Sequence, residues 1–111
     1  MQEQISLSLD RDELLMLLRT LLAVRGVPFA VVKKPDLRAC DNLIRQMKSQ
    51  KSKGSGLSAQ VSMRQTKTAI DAIKALLAEF PEGAVHTHTG FWPKELIGLR
   101  DKLDHEVSVA T

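Results

Sequence analysis

The chain has 111 residues, of which 43% are hydrophobic and 26% are charged, and its formal net charge is +3. This length and composition predict one globular domain spanning 1–111, rather than a disordered chain. Three Phe, one Trp and no Tyr leave too few aromatic rings for the base-stacking platform that single-stranded nucleic acid requires.

The first predicted elements are a strand and a helix. Apolar and polar side chains alternate over residues 4–9, which is the period of a half-buried strand. Residues 12–25 follow as a helix that begins near an Asp cap and ends before Gly26. Its apolar side chains occupy most of the circumference, so more than one side must be covered. We expect a central helix, or one that also forms a subunit contact through Leu18 and Leu22.

The middle of the chain predicts a second strand and two further helices. Residues 27–33 are β-branched and aromatic and predict a short strand. A second helix opens at Pro35, where the missing N–H of proline is tolerated. The glycines, serines and lysines of residues 50–57 predict a flexible basic loop. A third helix then begins at Ser58 as its N-cap and ends near Phe80.

The last predicted elements are a strand and a helix. Residues 84–89 alternate again and predict a strand, and Pro93 opens the last helix. The resulting order, β-α-β-α-α-β-α, predicts an α+β domain that is rich in helix and has a small sheet. An all-α bundle with extended arms is the alternative.

Charge is unevenly distributed along the chain. Residues 33–74 hold ten basic and three acidic residues, a net charge of +7, and since the whole chain is +3 the remainder carries −4. Such segregation favours contact with a polyanion such as nucleic acid. An ordinary solvated surface is the alternative. The predicted phosphate contacts lie on the second and third helices and their loop: Arg38, Arg45, Lys48, Lys51, Lys53, Arg64 and Lys67.

Catalytic and metal-binding motifs are weak by comparison. His86 and His88 would face the same side of a strand and could hold a metal with a third ligand from Asp104 or His105. No HExxH, phosphate-binding GxxxxGK[ST] or GxSxG motif accompanies them. The single cysteine, Cys40, fits a buried hydrophobic position. We therefore expect no enzymatic activity, no cofactor and no metal, with a hydrolase using His86 and His88 as a minor alternative.

Together these patterns predict a small binding or assembly protein. We expect it to self-associate as a homo-oligomer and to contact nucleic acid or another polyanion through its basic helices. The alternative is a protein-interaction or inhibitor module of the type that phages and mobile elements encode, acting through helix 12–25 and Trp92. The N-terminus lacks a secretory pattern and the longest apolar stretch is too short for a bilayer. A cytoplasmic protein without a membrane partner is expected.

Overall fold

The computed structural model describes residues 4–26, 37–51 and 57–110. This part of the chain is helix-rich and contains one two-stranded sheet. In chain order its elements are β1 (Gln4–Leu9), α1 (Arg11–Gly26), α2 (Leu37–Lys51), β2 (Leu57–Ser62), α3 (Met63–Glu79), α4 (Glu82–Thr89) and α5 (Pro93–Ala110).

The sheet pairs β1 with β2 in antiparallel register, with Ile5 opposite Val61. Both of these side chains are buried, as are Leu7 and Leu9, so β1 has the apolar inner face that its alternation predicts. The strand at residues 4–9 is therefore confirmed. β2 was not predicted, because its six residues fall where the sequence favours the end of a loop and the start of a helix.

The start of α3 is fixed by a capping box at Ser62, so the prediction of Ser58 as the N-cap is wrong. The Ser62 side chain accepts a hydrogen bond from the Gln65 backbone N–H at 3.0 Å. In return, the Gln65 side chain accepts one from the Ser62 N–H at 3.1 Å. This reciprocal pair satisfies two N–H groups that the first turn would leave unbonded, and it separates the helix from the strand before it.

Residues 84–89 belong to helix α4, so the predicted strand is wrong. Pro81 is the N-cap of α4, and Gly90 ends it in the left-handed conformation, with φ 79°. Val85 and Thr89, four residues apart, are both buried on one side of the helix. Because the strand is absent, the predicted order of elements does not hold in this region, although the helix-rich character does.

Helix α1 lies at the centre of the fold. It contacts β1 and each of the other four helices of the described chain. Leu17, Leu21 and Val24 are fully buried, and Leu18 is only 3% exposed. Leu18 is therefore a core residue and not an accessible contact. The apolar circumference of α1 is covered within the chain itself, which leaves Leu22, 41% exposed, as its largest accessible apolar side chain.

Several sequence predictions fall outside the described residues. The strand at 27–33, the helix start at Pro35 and residues 52–56 of the loop predicted at 50–57 are among them. The ends of that predicted loop are wrong, because residues 50 and 51 belong to α2 and Leu57 begins β2. The Cys40 side chain is fully buried, as expected. No described helix has both the length and the apolar character needed to cross a membrane.

Candidate nucleic-acid interface

Helix α2 separates an apolar stripe from a charged one. Cys40, Leu43 and Met47 are buried and pack into the core. They recur every three or four residues, so they lie on one side of the helix. The cations of the opposite side are exposed: Arg38, Arg45 and Lys48.

Helix α3 is built in the same way. Thr66, Ile73 and Leu76 are fully buried, and the helix is covered by α1, α2 and α5. One side remains open to solvent, and its residues are mostly basic. The exposed cations there are Arg64, Lys67 and Lys74, with Asp71 as the exposed acid among them.

The two charged sides belong to neighbouring helices. Helices α2 and α3 pack together, and where they meet the Gln65 side-chain amide lies 3.5 Å from the Gln46 side-chain oxygen. Two cations seven residues apart on one helix are separated along its axis by about 10 Å, at ~1.5 Å rise per residue. We define the basic face as the six exposed cations of these helices: Arg38, Arg45, Lys48, Arg64, Lys67 and Lys74.

Exposed or partly exposed carboxylates accompany the basic face on both helices. Asp41 of α2 pairs with Arg25 of α1, with 2.8 Å between Nε and Oδ1, so a cation outside the basic face compensates its charge. Asp71 lies within the face but forms no ion pair with another residue of the described chain. The same holds for four of the cations, which form no ion pair with any residue described in the structure: Arg45, Lys48, Lys67 and Lys74.

Ion pairs occur elsewhere on the molecule. Lys102 of α5 pairs with Glu13 of α1 at 2.7 Å, and Arg100 pairs with Asp101 at 3.1 Å. Helix α5 carries three basic and four acidic residues, whereas α2 and α3 together carry seven basic and three acidic ones. Basic residues therefore outnumber acidic ones on α2 and α3, whereas acidic residues slightly outnumber basic ones on α5.

Two of the predicted phosphate contacts cannot be placed. Lys51 ends α2, but its side chain lies outside the described residues, as does the whole of Lys53. Lys74 was not among the predicted contacts, although it lies two helical turns after Lys67 on the same exposed side. The spacing of these two lysines in the sequence was the signal that could have identified Lys74.

The two histidines do not form a metal-binding pair. Residues two apart on a helix point about 200° away from each other, so the same-side arrangement expected of a strand is wrong. The His86 ring stacks on Trp92 with 4.0 Å between centroids, and the His88 ring packs against Phe80 at 5.3 Å. Among the described residues, no group of three or more His, Cys, Asp or Glu could hold a metal ion.

The remaining candidate contacts are apolar. Trp92 is 48% exposed even though it stacks on His86, and Leu22 is 41% exposed on α1. Leu18, the third predicted interface residue, is buried in the core. Comparison of the chain with protein-family models, curated proteins and solved structures gives no match, so its surfaces are the basis for proposing a function.

Proposed function

We propose that this chain is a small, non-enzymatic binding protein that contacts the phosphate backbone of nucleic acid through its basic face. The observation that supports the proposal most directly is the set of four exposed cations that lack an ion pair within the described chain: Arg45, Lys48, Lys67 and Lys74. Lys and Arg side chains spread over an accessible surface supply most of the affinity for nucleic acid.

The chemistry of the basic face favours contact with the backbone over reading of bases. Neither α2 nor α3 contains an aromatic residue, so the face offers no ring on which a base could stack. Contacts from Lys and Arg to phosphates position a protein on a duplex without carrying sequence information. We therefore expect double-stranded nucleic acid to bind with little sequence preference. The proposed location of this binding is the cytoplasm.

A charge-reversal experiment with a matched control tests the proposal. Arg45→Glu with Lys48→Glu changes the basic face by four charge units. Arg11→Glu with Lys94→Glu makes the same change at two exposed positions on α1 and α5. Binding to a fluorescein-labelled duplex of 20 base pairs would be measured by anisotropy at 50 mM salt.

The two variants should differ clearly. The basic-face variant should lose at least a hundredfold in affinity, because two phosphate contacts become repulsive. The control should lose much less, since its substitutions act only through long-range, screened charge. Equal losses would mean that net charge governs binding, and would contradict a specific role for the basic face.

A protein-contact function is the second candidate, and the exposure of Leu22 and Trp92 favours it. Trp is frequent at the energetic centres of protein interfaces. Of the three predicted interface residues, Leu22 and Trp92 are the two that a second copy of the chain could contact, since Leu18 is buried. Sedimentation of wild type and of Leu22→Lys with Trp92→Lys tests self-association. A wild-type chain that is monomeric at all accessible concentrations would contradict it.

A further inference from the structure

A groove separate from the basic face lies where α1 passes the C-terminal end of α4. Its volume is about 450 Å³, and it is open to solvent. No acidic residue lines it. Its lining combines one guanidinium, one imidazole, two hydroxyls and an apolar wall: Arg19, Leu22, Ala23, Thr87, His88, Thr89 and Gly90.

The Arg19 guanidinium is held in place at one end of this groove. Its Nη1 donates to the Thr89 carbonyl at 3.4 Å, and its Cζ lies 5.9 Å from the centroid of the Phe91 ring. The carbonyl belongs to the C-terminal end of α4, where the helix dipole favours a cation. A guanidinium has five N–H donors, and within the described chain only one hydrogen bond uses them.

Gly90 provides the space that Arg19 occupies. Its φ of 79° is a left-handed conformation that favours glycine, and its N–H donates to the His86 carbonyl at 2.7 Å. A Cβ at this position would lie 2.6 Å from Nη1 of Arg19, which is too close for van der Waals contact. The left-handed backbone therefore favours glycine here, whereas a Cβ would force the flexible Arg19 side chain to shift from its present position.

The hydroxyls of the groove are already engaged. The Thr89 hydroxyl donates to the Val85 carbonyl at 2.8 Å, and the Thr87 hydroxyl donates to the Gly83 carbonyl at 2.9 Å. The polar side chains that remain for recognition are Arg19 and His88, and of these only the planar guanidinium of Arg19 matches a carboxylate in two parallel hydrogen bonds. Leu22 and Ala23 offer apolar surface beside it.

We propose that this groove binds a small free carboxylate with a short apolar chain. The carboxylate lies on Arg19, and the apolar chain lies against Leu22 and Ala23. The absence of lining acids makes the groove complementary to an anion, and its volume falls within the ~300–1,000 Å³ that is usual for small-molecule sites. None of these residues belongs to the basic face.

Hexanoate serves as the probe, in an NMR titration that follows the backbone amides of the whole chain. Hexanamide keeps the apolar chain without the charge, and inorganic phosphate keeps a charge without the chain. Hexanoate should give saturable shifts centred on residues 19–23 and 87–90. Both comparison compounds should bind at least tenfold more weakly, because hexanamide lacks the carboxylate and phosphate lacks the apolar chain.

Three variants test the role of Arg19. Arg19→Gln should weaken hexanoate binding at least tenfold, and Arg19→Lys severalfold, because lysine lacks the planar fork. Gly90→Ala should also weaken it severalfold while the guanidinium is retained. Arg11→Gln, an exposed position on the same helix, is the matched control and should bind normally.

The proposal is overturned by any of four results, of which the first three concern the binding of hexanoate. These are equal binding of hexanoate and hexanamide, unchanged affinity of Arg19→Gln, or shifts confined to the basic face. Arg19→Lys still tests the guanidinium if Gly90→Ala does not fold. A saturable response to phosphate as strong as that to hexanoate would indicate a general anion site and would also overturn it.

Discussion

The salt dependence of the proposed duplex binding would measure how many cations of the basic face contact phosphate. Each phosphate neutralised on a duplex contributes about −0.9 to the slope of log K against log salt concentration. If all six cations of the face make such contacts, the slope is about −5. Raising the salt concentration from 50 to 200 mM should then weaken binding by about three orders of magnitude.

Neutralising four of these cations should remove most of that slope. The variant replaces Arg45, Lys48, Lys67 and Lys74 with Gln, which removes charge but keeps side chains of moderate length. The expected slope is about −2, so the same rise in salt should weaken binding by only about one order of magnitude. Circular dichroism should be unchanged, because all four side chains are exposed.

Anisotropy at five salt concentrations between 50 and 200 mM gives both slopes, with Arg11→Gln and Lys94→Gln as the control. Because slopes are compared, a uniform loss of affinity from altered folding would not be mistaken for lost phosphate contacts. A slope that stays near −5 in the fourfold variant would refute the assignment of the basic face. So would a slope that falls equally in the control.

Three further predictions concern stability, each read from thermal or urea denaturation. Ser62→Ala should destabilise the chain by about 1 kcal/mol because it removes the α3 cap. Unchanged stability of this variant would contradict the observed helix start. Leu18→Ala should lower the free energy of unfolding by about 2–5 kcal/mol, because Leu18 is buried. Leu22→Ala should lower it by less than about 1 kcal/mol, because Leu22 is exposed. Similar losses in the two variants would contradict the described packing of α1. Asp41→Asn should cost at most about 1 kcal/mol because its ion pair is partly exposed. It should also tighten duplex binding at 50 mM salt, because it removes a negative charge from α2 beside the cations of the basic face. Weaker binding would count against the basic face.

The parts of the fold that were predictable from sequence are those with a long or regular apolar pattern. Helix α1 is apolar over most of its circumference and lies at the centre of the fold, which is one of the two outcomes that its pattern allowed. The strand at 4–9 also followed from a clean alternation. In both cases the buried positions alone specify the element, because no other element would bury the same side chains together.

The wrong predictions concern short segments in which two patterns compete. Residues 84–89 alternate like a strand, yet Val85 and Thr89 also have helical spacing, and six residues are too few to decide between them. The residues that identify the helix lie outside this segment: Pro81 is the N-cap of α4, and Gly90 is its C-cap. At the start of α3, Ser62 and Gln65 have the sequence spacing of a capping box. The prediction instead chose Ser58, which is also a residue type that commonly caps a helix.

The two candidate sites also differ in how far the sequence could predict them. The cations of the basic face were visible in the sequence because helical periodicity places them opposite apolar residues. The groove was not visible, because Arg19 and Thr89 are 70 residues apart and only the packing of α4 on α1 brings them together. The ion pair between Arg25 and Asp41 likewise depends on how α2 lies against α1.

The position of the cations on α2 and α3 also bears on why they are present. Their side chains lie opposite the buried stripes, so they contribute little to the apolar packing that stabilises each helix. Like charges that lie close together on a surface repel one another, and a bound polyanion replaces such repulsion with attraction. The exposure of these cations opposite the buried stripes, more than the basic composition itself, supports the proposed polyanion partner for the basic face.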